Sequence, residues 1–182
     1  MPYAFNLTLD PVSSLQIERI YADLAGLDIP DRDLITQYGP CVTILVVADD
    51  IHPDDVREAL ARQLPATGAL TVSFTEPCII PGRPPTLSLR VRPTDELLAL
   101  HNAIFNKLPE QAVQLQYRPA YWQPHLKLSN LRHSQATAAE LVATMAAGWR
   151  QLDGMLDCLE VVQYPPVQAI WQAPLKRPAT LI

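Results

Sequence analysis

His125, Lys127 and Ser129 occupy alternate positions of the run His125-Leu126-Lys127-Leu128-Ser129. Alternate residues of a β-strand share a face, so an imidazole, an ammonium and a hydroxyl would stand in one row while Leu126 and Leu128 go to the core. Imidazole moves protons near neutral pH, ammonium is a compact charge for an anion, and a hydroxyl donates a hydrogen bond. Such a row fits an anion pocket and is of no use to a core. A second run, Cys41-Val42-Thr43-Ile44-Leu45, repeats the alternation with a thiol and a hydroxyl. With an ordinary pKa of about 8.5, a thiol at Cys41 is a poor base near neutrality unless a neighbour such as Lys127 lowers it; the plainer reading is a small buried hydrophobe. Arg90 and Arg92 lie on the polar face of an alternating strand and either reach an anion or are solvated there. Tyr38 precedes the first run, and Arg118, Tyr121 and Trp122 precede the second. Tyr38, Tyr121 and Trp122 are candidates to stack on a nucleobase, a contact worth roughly 1 to 3 kcal/mol, or else pack as loop residues. His101 falls on an apolar helical stripe and reads as packed, and His52 and His133 as solvated.

The elements that hold these residues follow from periodicity and punctuation. Tyr3 to Leu9 reads as a strand, after which Asp10-Pro11 opens a helix ending near Gly26 with Leu15, Ile20 and Leu24 as its apolar stripe. Cys41 to Val47 is a β-branched strand, and Pro53 to about Leu64 a helix carrying Val56, Leu60 and Leu64 on one side. A strand from Leu70 to Thr75 leads into a proline-rich connector, Pro77 to Pro85. Thr86 to Arg92 alternates as a strand, and Thr94 with Asp95 and Glu96 caps a helix bearing Leu97, His101, Ile104 and Leu108. After a loop from Pro109 to Gln123 come a strand from His125 to Ser129 and a helix from Thr137 to Ala147, opened by the capping box Thr137-x-x-Glu140. Leu156 to Tyr164 and Val167 to Ala173 form a terminal hairpin around Pro165-Pro166.

The order strand, helix, strand, helix, strand therefore occurs twice. Tyr3 precedes Cys41 by 38 positions, and Leu87 precedes His125 by 38. An 84-residue offset lays Pro40-Cys41-Val42-Thr43 over Pro124-His125-Leu126-Lys127, and makes Asn6 and Thr8 the counterparts of Arg90 and Arg92. The expected fold class is α+β: one bilobal domain over 1–182, with approximate repeats at 1–76 and 85–164, a terminal hairpin at 156–173, and mostly antiparallel sheets facing a central cleft.

A chain of 182 residues suits one domain. With 14 Lys plus Arg against 19 Asp plus Glu, the net charge is -5. That balance argues against neutralising a long nucleic-acid backbone and requires any polyanion to meet a local positive site. Eighteen prolines punctuate the periodic segments, and three cysteines, an odd number without ligand spacing, argue against a disulfide framework or a zinc site. No basic leader and no apolar run of roughly 18 residues occurs, so a cytoplasmic protein without a membrane span is expected. Glycine-rich phosphate loops, H-E-x-x-H, C-x-x-C and G-x-S-x-G motifs are absent.

Taken with its motifs, the chain resembles the 2H phosphoesterases, the superfamily of the bacterial 2'-5' RNA ligase and 2',3'-cyclic phosphodiesterase proteins, which carry two H-x-T/S motifs on the central strands of two symmetry-related lobes. Trp122-Gln123-Pro124-His125-Leu126-Lys127-Leu128 follows the second motif except at Lys127, and Pro40-Cys41-Val42-Thr43-Ile44-Leu45 the first except at Cys41. The resemblance implies metal-independent, cofactor-free acid/base chemistry on a small 2',3'-cyclic or 2'-5' linked nucleotide or RNA-end phosphoester. Opening a cyclic phosphate needs a base on the attacking oxygen and an acid on the leaving one, and hydroxyls binding the equatorial oxygens. Carried over, His125, Thr43 and Cys41 are the catalytic candidates, and Lys127, Thr43, Ser129 and Arg90 the phosphate-binding ones. With one imidazole replaced by Cys41, two outcomes follow: a phosphoesterase of reduced activity, or a non-catalytic phosphate or nucleotide-binding protein on the same fold. A plain α/β scaffold without a phosphate site is the third reading. A monomer is expected.

Overall fold

The computed structural model describes residues 2–25, 39–47, 54, 57–58, 60, 67–131, 135–164 and 166–176. In chain order the elements are β1 (Tyr3–Leu9), α1 (Pro11–Ala25), β2 (Cys41–Val47), β3 (Leu70–Ile80), β4 (Thr86–Val91), α2 (Asp95–Phe105), β5 (His125–Asn130), α3 (Gln135–Ala147), β6 (Leu152–Gln163) and β7 (Gln168–Pro174), with single 3₁₀ turns at Glu110–Ala112 and Leu115–Tyr117. The helix expected from Pro53 to Leu64 lies mostly outside the described residues; Asp54, Arg57, Glu58 and Leu60 are helical. Among the described residues no helix is long and apolar enough to cross a membrane.

Local chemistry accounts for the helix starts. The Asp10 carboxylate accepts the Ser13 amide at 2.9 Å ahead of Pro11, and the Thr94 hydroxyl accepts the Leu97 amide at 3.2 Å, each satisfying a first-turn donor. The buried face of α1 is Ser13, Ile17 and Leu24, with Ile20 and Tyr21 packed beside it. Leu15, expected inside, is exposed, because 13, 17, 20 and 24 keep the helical period that 15 does not. The third helix starts at Gln135, two residues before the expected capping box. β3 runs through Pro77 to Ile80, four residues into the expected connector. From Glu76 to Ile80 it pairs only with β4, and an edge segment tolerates a residue without an amide proton.

All seven strands join one antiparallel sheet in the order β1-β2-β5-β4-β3-β6-β7, and a further β1–β6 ladder closes the first six into a ring. The architecture is thus α+β with a single closed sheet, rather than two separate sheets facing one another. Exchanging β1 with β4, β2 with β5 and β3 with β6 maps the ring's pairings onto themselves. Thr8 opposes Cys41 as Arg90 opposes His125, and Asn6 opposes Thr43 as Ser88 opposes Lys127. Ile44 and Leu128 are the extra residues of equivalent bulges, and Val72–Gly154 and Val42–Leu126 are the pairs that map onto themselves. The 84-residue offset therefore holds for β2 and β5, whereas β1 and β4 are related by 82 residues, so Arg90 corresponds to Thr8 and not to Asn6. Gly154 suits its place because a Cβ there would come within 3.2 Å of the Ser13 side chain, whose Oγ accepts the Met155 amide. The core packs the helices onto one sheet face through Phe5, Leu7, Ile17, Ile44, Leu87, Leu89, Leu97 and Ile104, all essentially excluded from solvent.

Candidate active site

β2 and β5 pair through Val42 and Leu126 alone. Both side chains are fully buried in the core, so their flanking residues, Cys41 and Thr43 on one strand and His125 and Lys127 on the other, project from the opposite face. Antiparallel pairing makes 41 and 127 cross-strand neighbours, and likewise 43 and 125. Such neighbours stand about 5 Å apart and alternate residues of one strand about 7 Å apart. All four line one cavity of about 310 Å³, at the low end of the roughly 300 to 1,000 Å³ typical of small-molecule pockets. Its wall is completed by Tyr21 from α1, Thr86 from β4, the Pro81-Gly82 turn, and Tyr117, Tyr121 and Trp122 ahead of β5.

His125 is held in one tautomer. Its Nδ1 lies 2.7 Å from the Gln123 carbonyl, an acceptor only, so Nδ1–H donates and Nε2 of the neutral ring keeps its lone pair. Burial lowers its pKa; the Gln123 carbonyl opposes this, and the charges of Lys127 and Arg90 add to the lowering. A neutral imidazole with a free lone pair is a proton acceptor at neutral pH.

Cys41 differs. Burial, then the Glu160 charge, push its thiol up to about 12, with Lys127 acting in the opposite sense. The ammonium thus falls short of activating the thiol, which stays protonated at neutral pH. Glu160 is itself buried; one carboxylate oxygen accepts from Gln172 at 2.7 Å, while Oε2 has no hydrogen-bond partner among the described residues. The Thr43 hydroxyl donates to the Asn6 side-chain oxygen at 2.9 Å, so its proton is held by a buried amide until a ligand competes for it. Tyr21 donates its hydroxyl to the Lys127 carbonyl at 3.0 Å, tying α1 to β5 at the cavity.

The remaining candidates are placed differently. Ser129 is buried and does not line the cavity: the bulge at Leu128 interrupts the alternation, so Ser129 pairs with Leu87 on the core side and donates to the Asn130 carbonyl. Arg90 opposes His125 on β4, but its Nε donates to Glu76 at 2.8 Å and it stays outside the cavity lining. Tyr38 lies outside the described residues. Tyr121 is 59% exposed at the cavity rim. Trp122 is buried, donates its indole N–H to the Thr43 carbonyl at 3.2 Å, and stacks on His101 with ring centroids 4.0 Å apart; the packing reading applies to it. His101 is packed as expected, with Nε2–H on the Tyr117 carbonyl at 2.8 Å.

Sequence reading missed Tyr21, Tyr117, Thr86, Asn6 and Glu160. For Tyr21 the available signal was its spacing of four from Ile17. For Asn6 it was a polar residue set between Phe5 and Leu7. Nothing in the sequence marked Glu160, which reaches the site through the β1–β6 ladder opposite Asn6. Among the described residues no group of three or more His, Cys, Asp or Glu is placed to hold a metal ion.

The comparisons with known proteins bear on the fold and the family. No curated protein matches the chain. Among solved structures, a Thermus thermophilus protein matches with a TM-score of 0.66 at 11% identity, over 97% of this chain and 99% of that one. E. coli LigT complexed with NADP+ matches with a TM-score of 0.59 at 12% identity over 96% of each chain. The PDE domain of MHV ns2 matches at 0.52 and 17% identity, over 96% of this chain and 97% of that domain. At such identities the likeness concerns the fold. The sequence model of the 2'-5' RNA ligase superfamily matches residues 6–167, and with the closed antiparallel sheet and its paired central strands this shows that the chain belongs to the 2'-5' RNA ligase superfamily, the 2H phosphoesterases.

Proposed function

We propose that the chain is a slow phosphoesterase of the 2H type, acting on a small 2',3'-cyclic or 2'-5' linked nucleotide without a metal ion. The observation that carries this reading is the single cavity into which the Val42–Leu126 pairing delivers His125, Lys127, Thr43 and Cys41. His125 Nε2 takes the proton of the attacking water, since its other nitrogen is committed to Gln123. Lys127 meets the charge of the phosphate, and Thr43 adds a donor once a phosphate oxygen competes with Asn6. The cavity, about 310 Å³ and at the low end for small-molecule pockets, suits a small phosphoester better than a long strand. E. coli LigT has been solved with 3'-AMP and with phosphate, ligands of the class proposed here. The two halves of the ring are further proposed to descend from one duplicated unit, on the strength of their matching ladders and bulges.

A second reading, binding without turnover, is favoured by Cys41: a thiol pushed up to about 12 supplies no second acid/base group of the usual strength. Both readings are tested by assaying 2',3'-cyclic nucleotides with chelator present, beside calorimetric titration with a nucleoside monophosphate. The expected result is nucleotide binding, with slow turnover that His125→Ala lowers by about 10² or more. Binding without turnover would establish the second reading, and the absence of both would remove the phosphate site altogether.

A further inference from the structure

His125 provides for one proton, and the chemistry requires two transfers on opposite sides of phosphorus. We propose that the Lys127 ammonium is the second catalytic group, the general acid that protonates the leaving ribose oxygen; this rests on the phosphoesterase reading above. The superfamily motif has a hydroxyl at this position, which binds and does not protonate.

The pairing at the seam explains why a lysine can serve there. Position 127 is the cross-strand neighbour of position 41, so the long stem of Lys127 starts beside the place that the missing imidazole would occupy. Both residues line the cavity. The ammonium acts electrostatically on both the Cys41 thiol and the His125 ring, as its place on the same strand face as His125 and beside position 41 requires. His125 lies about 7 Å away along the same strand, and the four-carbon stem supplies the further reach across a bound phosphate. Cys41 itself is the weaker candidate, because its buried thiol is pushed up to about 12 and gives up its proton reluctantly, and Tyr21 has its hydroxyl proton on the Lys127 carbonyl.

The step balances as follows. His125 Nε2 accepts a proton from water as the water oxygen bonds to phosphorus. The bond from phosphorus to the 2' or 3' oxygen breaks with its electron pair on that oxygen, which takes a proton from Lys127 Nζ. The product is a phosphomonoester with a free hydroxyl, and the imidazolium returns its proton to the lysine amine through solvent.

Leaving-group dependence separates this role from simple phosphate binding. Two substrates are compared, a 2',3'-cyclic nucleotide, whose alkoxide leaving group needs a proton, and a nucleoside 3'-(4-nitrophenyl) phosphate, whose phenolate does not. Lys127→Met and Lys127→Arg are each expected to lower turnover of the cyclic nucleotide by about 10² or more, and of the nitrophenyl ester by less than about tenfold. Arg keeps the charge and does not give up its proton, so full activity in Lys127→Arg would overturn the proposal. Equal losses on both substrates would overturn it in favour of a purely electrostatic role, and a selective loss in Cys41→Ala with none in Lys127→Met would assign the acid to the thiol. Wild-type protein that binds nucleotide but turns over neither substrate would refute the phosphoesterase reading itself, whereas wild-type turnover that is lost in His125→Ala and insensitive to Lys127 would refute this inference alone.

Discussion

Cys41 is the residue on which the two proposed readings of the site divide. Its thiol is buried and stands at about 12 between two opposing charges, Glu160 raising it and Lys127 lowering it. An imidazole in that place would respond in the same directions: the carboxylate favours its charged form and the ammonium the neutral one. Cys41→His is therefore expected to raise turnover of a 2',3'-cyclic nucleotide by about 10² to 10⁴, assayed with chelator and with nucleotide affinity measured in parallel. The same change should restore activity to Lys127→Met, because an acid would return beside the vacated lysine position. A folded Cys41→His protein that binds nucleotide and is no faster than wild type would show that position 41 does not face the reacting oxygens.

The segment between α2 and β5 builds one wall of the cavity, and a few polar contacts fix it. Arg118 donates to the Val113 carbonyl at 3.1 Å and to Glu110 at 3.0 Å, closing the two 3₁₀ turns into a unit. His101 anchors that unit to α2 by its bond to the Tyr117 carbonyl and its stack on Trp122, and Trp122 in turn holds the Thr43 carbonyl. His101→Leu keeps the apolar volume but leaves the Tyr117 carbonyl without its donor and removes the ring stack. The expected cost is about 1 to 3 kcal/mol, read as a lower urea midpoint at unchanged slope, together with weaker nucleotide binding. Unchanged stability would mean that the wall holds without this anchor. Gly39, at the cavity edge, has φ +68°, so any other residue there carries the strain of a left-handed backbone before Pro40.

Acid sensitivity belongs to the molecule as a whole. Burial lowers the pKa values of both His101 and His125, so between those lowered values and the ordinary value of about 6.5 the unfolded chain binds more protons than the folded one. Their contribution to stability is fully present above about pH 6.5 and falls as the pH drops through that window. Melting temperatures from pH 8 to 5 should decline mainly below about 6.5, and His101→Leu should flatten the decline. The carboxylate of Asp153, lowered by hydrogen bonds from Ser73 and Gln151, acts below the ordinary carboxylate range and is separable by pH. A melting curve that is level from 7 to 5.5 would place both imidazoles in environments without a net preference for the neutral form.

Much of this protein was readable along the chain, because alternation, caps and prolines are local signals. Tyr3–Leu9 and Cys41–Val47 have the expected bounds, Thr94 caps α2 as its hydroxyl suggested, and the residues of the alternating runs His125-x-Lys127 and Cys41-x-Thr43 line one cavity. What the linear pattern did not contain is everything that depends on a partner strand. The bulges at Ile44 and Leu128 turn Leu45 and Ser129 to the core side, the β3–β4 ladder gives Arg90 to Glu76, and the 82-residue relation of β1 to β4 emerges only from their ladders. Glu160 lies far from the motifs in sequence and acts on Cys41 because β6 pairs with β1. A residue's face is set by its own strand's period, but its charge environment and hydrogen-bond partners are set by neighbours that only folding supplies.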